Sequence, residues 1–226
     1  KAKYPDVRGL ISGVLADLEE TPLLVEIPIK DGGTAPYLVQ KRDLQIFTSA
    51  LSADPVRVVW ILNVYKALAD GNTEPLVDLL RQGVDPTQTA VSLRAMGTLM
   101  DVASGSSEQY RVMVIEQAKS SLLGLYPNFS HPLETVDPSL DLGETFRMPP
   151  VSDVPTLLLS GSLDGRTYPE SGQDATVGLS NRQTVNVING GHNLFMLSLD
   201  VQETILTFMR GQFVDKQDIT VSLPEF

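Results

Sequence analysis

Asp164 and His192 are the two residues whose types and spacing could do chemistry together in this chain. Asp164 lies in Gly-Ser-Leu-Asp-Gly-Arg-Thr (161–167), just after the apolar run 156–161, and His192 lies in Asn-Gly-Gly-His-Asn (189–193), just after the run 184–188. An aspartate that accepts a hydrogen bond from the Nδ1–H of a histidine fixes the imidazole tautomer and stabilises the imidazolium. Nε2 is then left as a general base. The order, acid before base and 28 residues apart, is that of triads running nucleophile, acid, base along the chain. Each residue also has a plainer reading. Aspartate beside glycine is common turn chemistry, and a histidine after a glycine pair can cap or pack.

Those two loops need strands to position them. Val154-Pro155 precedes TLLLSG (156–161), an apolar run bounded by turn residues, as expected of a strand buried on both faces. A helix is predicted near 170–179, a second buried strand at TVNVI (184–188), and a closing helix at VQETILTFMRG. In that last helix Val201, Ile205 and Phe208 or Met209 face inward, and Gly211 ends it. Strand, helix, strand, helix is the pattern of a parallel sheet under helices, and its loops gather at the carboxyl edge, where Asp164 and His192 can approach. The predicted fold class is therefore α/β.

Residues 1–150 read as helices joined by short loops, with one hairpin. Val7, Leu10, Ile11, Val14, Leu15 and Leu18 share one face of a first helix that Thr21-Pro22 ends. LLVEIPI (23–29), Asp31-Gly32-Gly33 and APYLVQ (35–40) form the hairpin, confined to a sheet edge by Pro28 and Pro36. Asp43 is expected to cap a short helix to about Ala53. Asp54-Pro55 opens another that stops at Gly71, and Thr73 opens one that ends at Gly83. Residues 86–104 fit helix or strand. Ser106 or Ser107 starts a helix to about Leu123 with Val112, Ile115 and Leu122 on one side. The proline-rich stretch 124–153 is expected to be a long ordered loop.

VPTLLLSGSLDGRTYPE, followed by NRQTVNVINGGHNLF and an amphipathic last helix, closely resembles the C-terminal end of α/β-hydrolase-fold serine hydrolases. It is most similar to the prolyl (proline iminopeptidase) and tripeptidyl aminopeptidase-like branch, whose acid sits in a G-x-x-D-x-R-T-P-like loop and whose base follows G-G or A-G. The resemblance implies Asp164 as acid and His192 as base. Tyr168, between Thr167 and Pro169, departs from the pattern without touching either. It further implies a mostly helical cap domain at 1–150 and the C-terminal part of the hydrolase core at 151–226, with peptide hydrolysis as the activity. The same triad hydrolyses esters and lactones, so carboxylester or lactone hydrolysis stands beside it. The match is strongest over 154–211.

That family's nucleophile lies in G-x-S-x-G on a strand-to-helix elbow, and no such pattern occurs here. GLISG (9–13) has its serine one place late, Ser160-Gly161-Ser162 belongs to the acid-loop strand, and ASGSS (103–107) reads as a helix cap. The expectation is that the nucleophile, the N-terminal strands and the oxyanion-hole loop precede Lys1 or lie on a second chain carrying G-x-S-x-G. The other readings are an excised fragment with no activity of its own, or a non-catalytic binding module that kept the cap and lost the nucleophile.

Composition narrows the classes. The chain has 226 residues and 42% hydrophobic content, enough for a sizeable core, and no cysteine, which excludes disulfide, zinc-thiolate and thiol-nucleophile chemistry. A net charge of −11 repels phosphate backbones and anionic membranes, so neither nucleic acid nor membrane is an expected partner. The substrate expected is a small peptide or ester, with no cofactor. His131, the only other histidine, reads as a surface or packing residue, and two histidines without clustered carboxylates make no metal site. Arg166 could brace Asp164 or bind a substrate carboxylate. Phe47, Trp60 and Tyr65 fit core or pocket lining, and Met96, Met100 and Met113 fit core.

Overall fold

The computed structural model describes residues 3–30, 32–87, 95–128, 133 and 137–225. These fall into two compact units, Lys1–Ser49 with Trp60–Gly143, and Ala50–Val59 with Glu144–Phe226. The short segment 50–59 thus groups with the C-terminal residues.

In the first unit α1 (Val7–Glu20) starts where the Asp6 carboxylate accepts the Gly9 N–H, and it buries Val14, Leu15 and Leu18. Strands β1 (Leu23–Pro28) and β2 (Thr34–Val39) pair antiparallel, with Val25 opposite Tyr37 and Ile27 opposite Ala35. Period-two alternation buries Val25, Ile27 and Val39 and exposes Leu24 and Leu38. With two strands in this sheet among the described residues, Pro28 and Pro36 remove no needed ladder bond. Asp31 lies outside the described residues.

Helix α2 spans Lys41–Leu51. Asp43 sits inside its first turn rather than at the cap, and its carboxylate reaches back to the Gln40 N–H at 2.7 Å, the acid half of a capping box. Helix α3 (Pro55–Ala69) starts as expected, with Asp54 accepting the Val56 N–H. Helix α4 (Glu74–Gly83) lays Leu76, Leu79 and Leu80 into the core against β1.

Helices α5 (Ala95–Ser104) and α6 (Glu108–Ala118) follow, α6 capped by Ser107 through the Tyr110 N–H. The side of α6 that carries Val112 and Ile115 does not face the core. Val114 is buried, while Val112, Ile115 and Met113 are exposed, as are Met96 and Met100 of α5. The stretch after Gly124 is not all loop: short 3-10 turns form at Tyr126–Asn128 and Pro138–Leu140, and α7 spans Gly143–Arg147. His131 lies outside the described residues.

The second unit is built on a three-stranded parallel sheet in the order β3 (Thr156–Gly161), β4 (Arg182–Ile188), β5 (Asp218–Thr220). Helix α8 (Pro169–Ala175) connects β3 to β4, and α9 (Leu199–Met209) connects β4 to β5. Leu157 and Leu159 face the cluster of Val185, Val187, Leu194, Val201, Val214 and Ile219, joined by Ile205 and Phe208 of α9. Met209, the alternative inward residue, is exposed. Leu158 and Ser160 face the other way, toward Gly172 of α8. Helices therefore lie on both faces of β3, which is why its sequence is continuously apolar.

The hydrogen-bond phase of β3 follows from its two ends. The Thr156 N–H donates to the Asn181 carbonyl at 3.0 Å and the Ser162 N–H to the Val187 carbonyl at 3.0 Å. In a parallel ladder every second residue turns to the same neighbour, so Leu157 and Leu159 direct their backbone groups to the opposite edge. No strand among the described residues pairs with them there.

Candidate active site

The sheet register carries β3 and β4 in step as far as Gly161 opposite Val187, and the loops that leave these two strand ends hold Asp164 and His192. Asp164 Oδ2 and His192 Nδ1 are 2.9 Å apart. An ionised carboxylate only accepts, so the proton of this bond belongs to Nδ1, and Nε2 carries the lone pair. Among the described residues no other side chain hydrogen-bonds the imidazole.

The second carboxylate oxygen is spent locally. Asp164 Oδ1 accepts the backbone N–H groups of Arg166 at 2.8 Å and Thr167 at 2.9 Å. This is the turn chemistry that aspartate beside glycine suggests, and it coexists with the bond to histidine, because each oxygen serves one purpose. The Asp164 side chain is 9% exposed and that of His192 is 32% exposed, so the acid is covered and the base reaches solvent. Arg166 braces Asp164 through its main chain. Its guanidinium is exposed and forms no ion pair among the described residues.

The two loops are interlocked by glycine. The Leu163 N–H donates to the Gly190 carbonyl at 2.8 Å. A methyl group on Gly161 would lie 2.3 Å from the Gly191 carbonyl oxygen, and one on Gly190 would lie 2.8 Å from Val187 Cγ1. Asn189 takes a left-handed conformation, φ 67°, to turn the chain off β4. Its N–H donates to Ser162 Oγ at 2.9 Å, and its Nδ2 donates to the Val221 carbonyl beyond β5 at 2.9 Å.

A third piece was not foreseen from sequence. The His192 N–H donates to the Ala53 carbonyl at 2.8 Å, in the turn between α2 and α3. Gly191 and Gly165 both approach that turn too closely for a side chain. The Asp54-Pro55 pair marked the turn as a helix start. Its packing against two loops more than a hundred residues later is a tertiary contact that no local pattern encodes.

Ser12, Ser107 and Ser162 take structural roles. Ser12 donates to the Gly9 carbonyl inside α1, Ser107 caps α6, and Ser162 Oγ accepts from Asn189. Tyr65 is fully buried in the first unit, while Trp60 and Phe47 are half-buried. An open cavity of about 370 Å³ is lined by Leu18, Glu19, Pro22, Gln40, Lys41, Arg42 and Gln45, with neither Asp164 nor His192 on its wall. Among the described residues no three His, Cys, Asp or Glu side chains cluster as metal ligands, and no helix is long and apolar enough to cross a membrane.

What the arrangement can do is accept a proton at Nε2 and hold the resulting imidazolium against Asp164. No family model matches the chain, and comparisons with curated proteins and with solved structures return no match either.

Proposed function

We propose that Asp164 and His192 are the acid and base of a serine hydrolase of the α/β-hydrolase fold, of the aminopeptidase-like branch. In this reading the nucleophilic serine is supplied by a preceding segment or a partner chain carrying G-x-S-x-G. The observation that carries the proposal is the 2.9 Å Nδ1–Oδ2 bond formed between loops at the ends of two adjacent parallel strands. In this reading the bond supports the following chemistry. The serine hydroxyl attacks a carbonyl as Nε2 of His192 takes its proton, Asp164 stabilises the imidazolium, and His192 returns the proton to the leaving group. Water then repeats the sequence to release the acyl group.

The edge of β3 that no strand among the described residues pairs supports a complementing polypeptide, since parallel sheets are otherwise covered and paired. The mostly helical residues 1–150 serve as the cap in this reading. Peptide and ester bonds need the same triad, and carboxylester or lactone hydrolysis is the alternative within it. A non-catalytic binding module is the reading from another class. It is favoured by the absence, among the described residues, of any hydroxyl bonded to His192.

Native mass spectrometry of the purified material, followed by assay on aminoacyl and peptidyl anilides and on short-chain esters, tests the proposal. A co-purifying polypeptide with G-x-S-x-G and anilide turnover are expected. A lone 24.6 kDa species without turnover favours the binding module.

A further inference from the structure

The strand register ends at Gly161 and Val187, three residues short of Asp164 and five short of His192, so the sheet alone does not set the distance between them. We infer that the turn Leu51–Pro55 is the positioning device of this pair, its consecutive Ser52 and Ala53 carbonyls forming one template against which both loops are registered.

The acid loop touches the template at Gly165, beside Asp164, and the base loop at Gly191 and at His192 itself. On the base side Ala53 O accepts the His192 N–H at 2.8 Å. A methyl on neighbouring Gly191 would lie 2.7 Å from Ala53 O and 2.7 Å from Pro55 Cδ. On the acid side a methyl on Gly165 would lie 2.4 Å from Ser52 O and 3.1 Å from its carbonyl carbon. Glycine is needed at both positions because of this approach and not for backbone freedom, since neither has a positive φ.

The template is itself stiff. Helix α2 ends at Leu51 and α3 begins at Pro55, whose ring fixes φ. Asp54 closes the turn from inside by accepting the Val56 N–H at 3.0 Å. Adjacent carbonyls of a rigid turn are a fixed distance apart, so holding Gly165 against one and His192 against the other fixes the span that the Asp164–His192 bond must bridge. Ser52, Ala53, Gly165 and Gly191 are positioning residues, acting only through Asp164 and His192. The inference holds whatever the pair catalyses, and its test needs no turnover.

The test is nuclear magnetic resonance of the chain labelled with ¹⁵N at its two histidines, at mildly alkaline pH, with His131→Gln assigning the second signal. Wild type is expected to show one ring protonated at Nδ1, with a downfield, slowly exchanging N–H. Gly191→Ala and Gly165→Ala are expected to lose that resonance and move His192 toward the Nε2–H tautomer of free imidazole. Gly172→Ala, which adds a methyl in the same unit 3.3 Å from Leu158 Cδ1, leaves it in place. Should the glycine variants fail to fold, Pro55→Ala loosens the template without adding bulk. It is expected to speed amide exchange at His192 about tenfold with the circular dichroism unchanged. A folded Gly191→Ala or Gly165→Ala that keeps the wild-type tautomer overturns the inference, as does a Pro55→Ala variant with wild-type exchange at His192.

Discussion

Asp164 meets His192 with one carboxylate oxygen and its own loop with the other. Oδ2 is 2.9 Å from Nδ1, while Oδ1 accepts from the N–H groups of Arg166 and Thr167. The division of labour fixes the carboxylate plane from behind, so the imidazole is oriented by a group that cannot itself rotate. It also makes the two oxygens separable by mutation.

Asp164→Asn keeps an oxygen for the two N–H donors and turns its NH₂ toward Nδ1. Nδ1 must then accept, the imidazole proton moves to Nε2, and the general base is lost. In the proposed hydrolase kcat is expected to fall about 10⁴-fold while stability changes by no more than about 1 kcal/mol. Steady-state kinetics and urea denaturation check both halves. A kcat within about tenfold of wild type removes the assignment of Asp164.

Asn189 holds the base loop between β4 and β5. Its φ of 67° suits asparagine, and its Nδ2 bond to the Val221 carbonyl would be lost in any truncation. Asn189→Ala is expected to destabilise the second unit by about 1–2 kcal/mol through the lost bond and the strained φ. Asn189→Gly, which loses the bond but not the conformational freedom, costs less. Urea denaturation followed at second-unit amides gives the ranking, and equal costs contradict it.

Much of this arrangement was legible because its signals are local. The runs 156–161 and 184–188 carry buried-strand composition, Gly-Gly marks the turn before His192, and Asp54-Pro55 and Ser107 mark helix starts that the structure realises. What escaped is non-local or short. Strand β5 has three residues and only Ile219 buried, too little for a period to show. The outward faces of α5 and α6 could not be read either, since apolar spacing says that a face exists but not what covers it. The Ala53–His192 bond joins residues far apart in sequence, and only the glycines at 165 and 191 hint at it.

The first unit carries an alkaline pH dependence. Burial pushes the Tyr65 hydroxyl above its ordinary value, opposed by its bond to Thr48, and burial with the Asp43 carboxylate pushes Tyr37 up as well. A raised tyrosine contributes stability that is complete below the ordinary value of about 10 and is lost as pH rises through the folded-state value. Above that ordinary value the unfolded chain releases protons that the folded chain keeps. Tyr65→Phe is therefore expected to flatten the fall in stability on the alkaline side. It costs about 1 kcal/mol at neutral pH for the lost 2.8 Å bond to Thr48. Denaturant midpoints across the alkaline range check this, and an alkaline limb identical to wild type counts against it.

The most direct test of the central claim is fluorophosphonate labelling of the native material, in wild type and in His192→Ala. The probe reacts with an activated serine. Labelling is expected at a serine within G-x-S-x-G on the complementing polypeptide, reduced about 10⁴-fold or more in rate by His192→Ala. No labelling of any chain, or labelling that His192→Ala leaves unchanged, would contradict it.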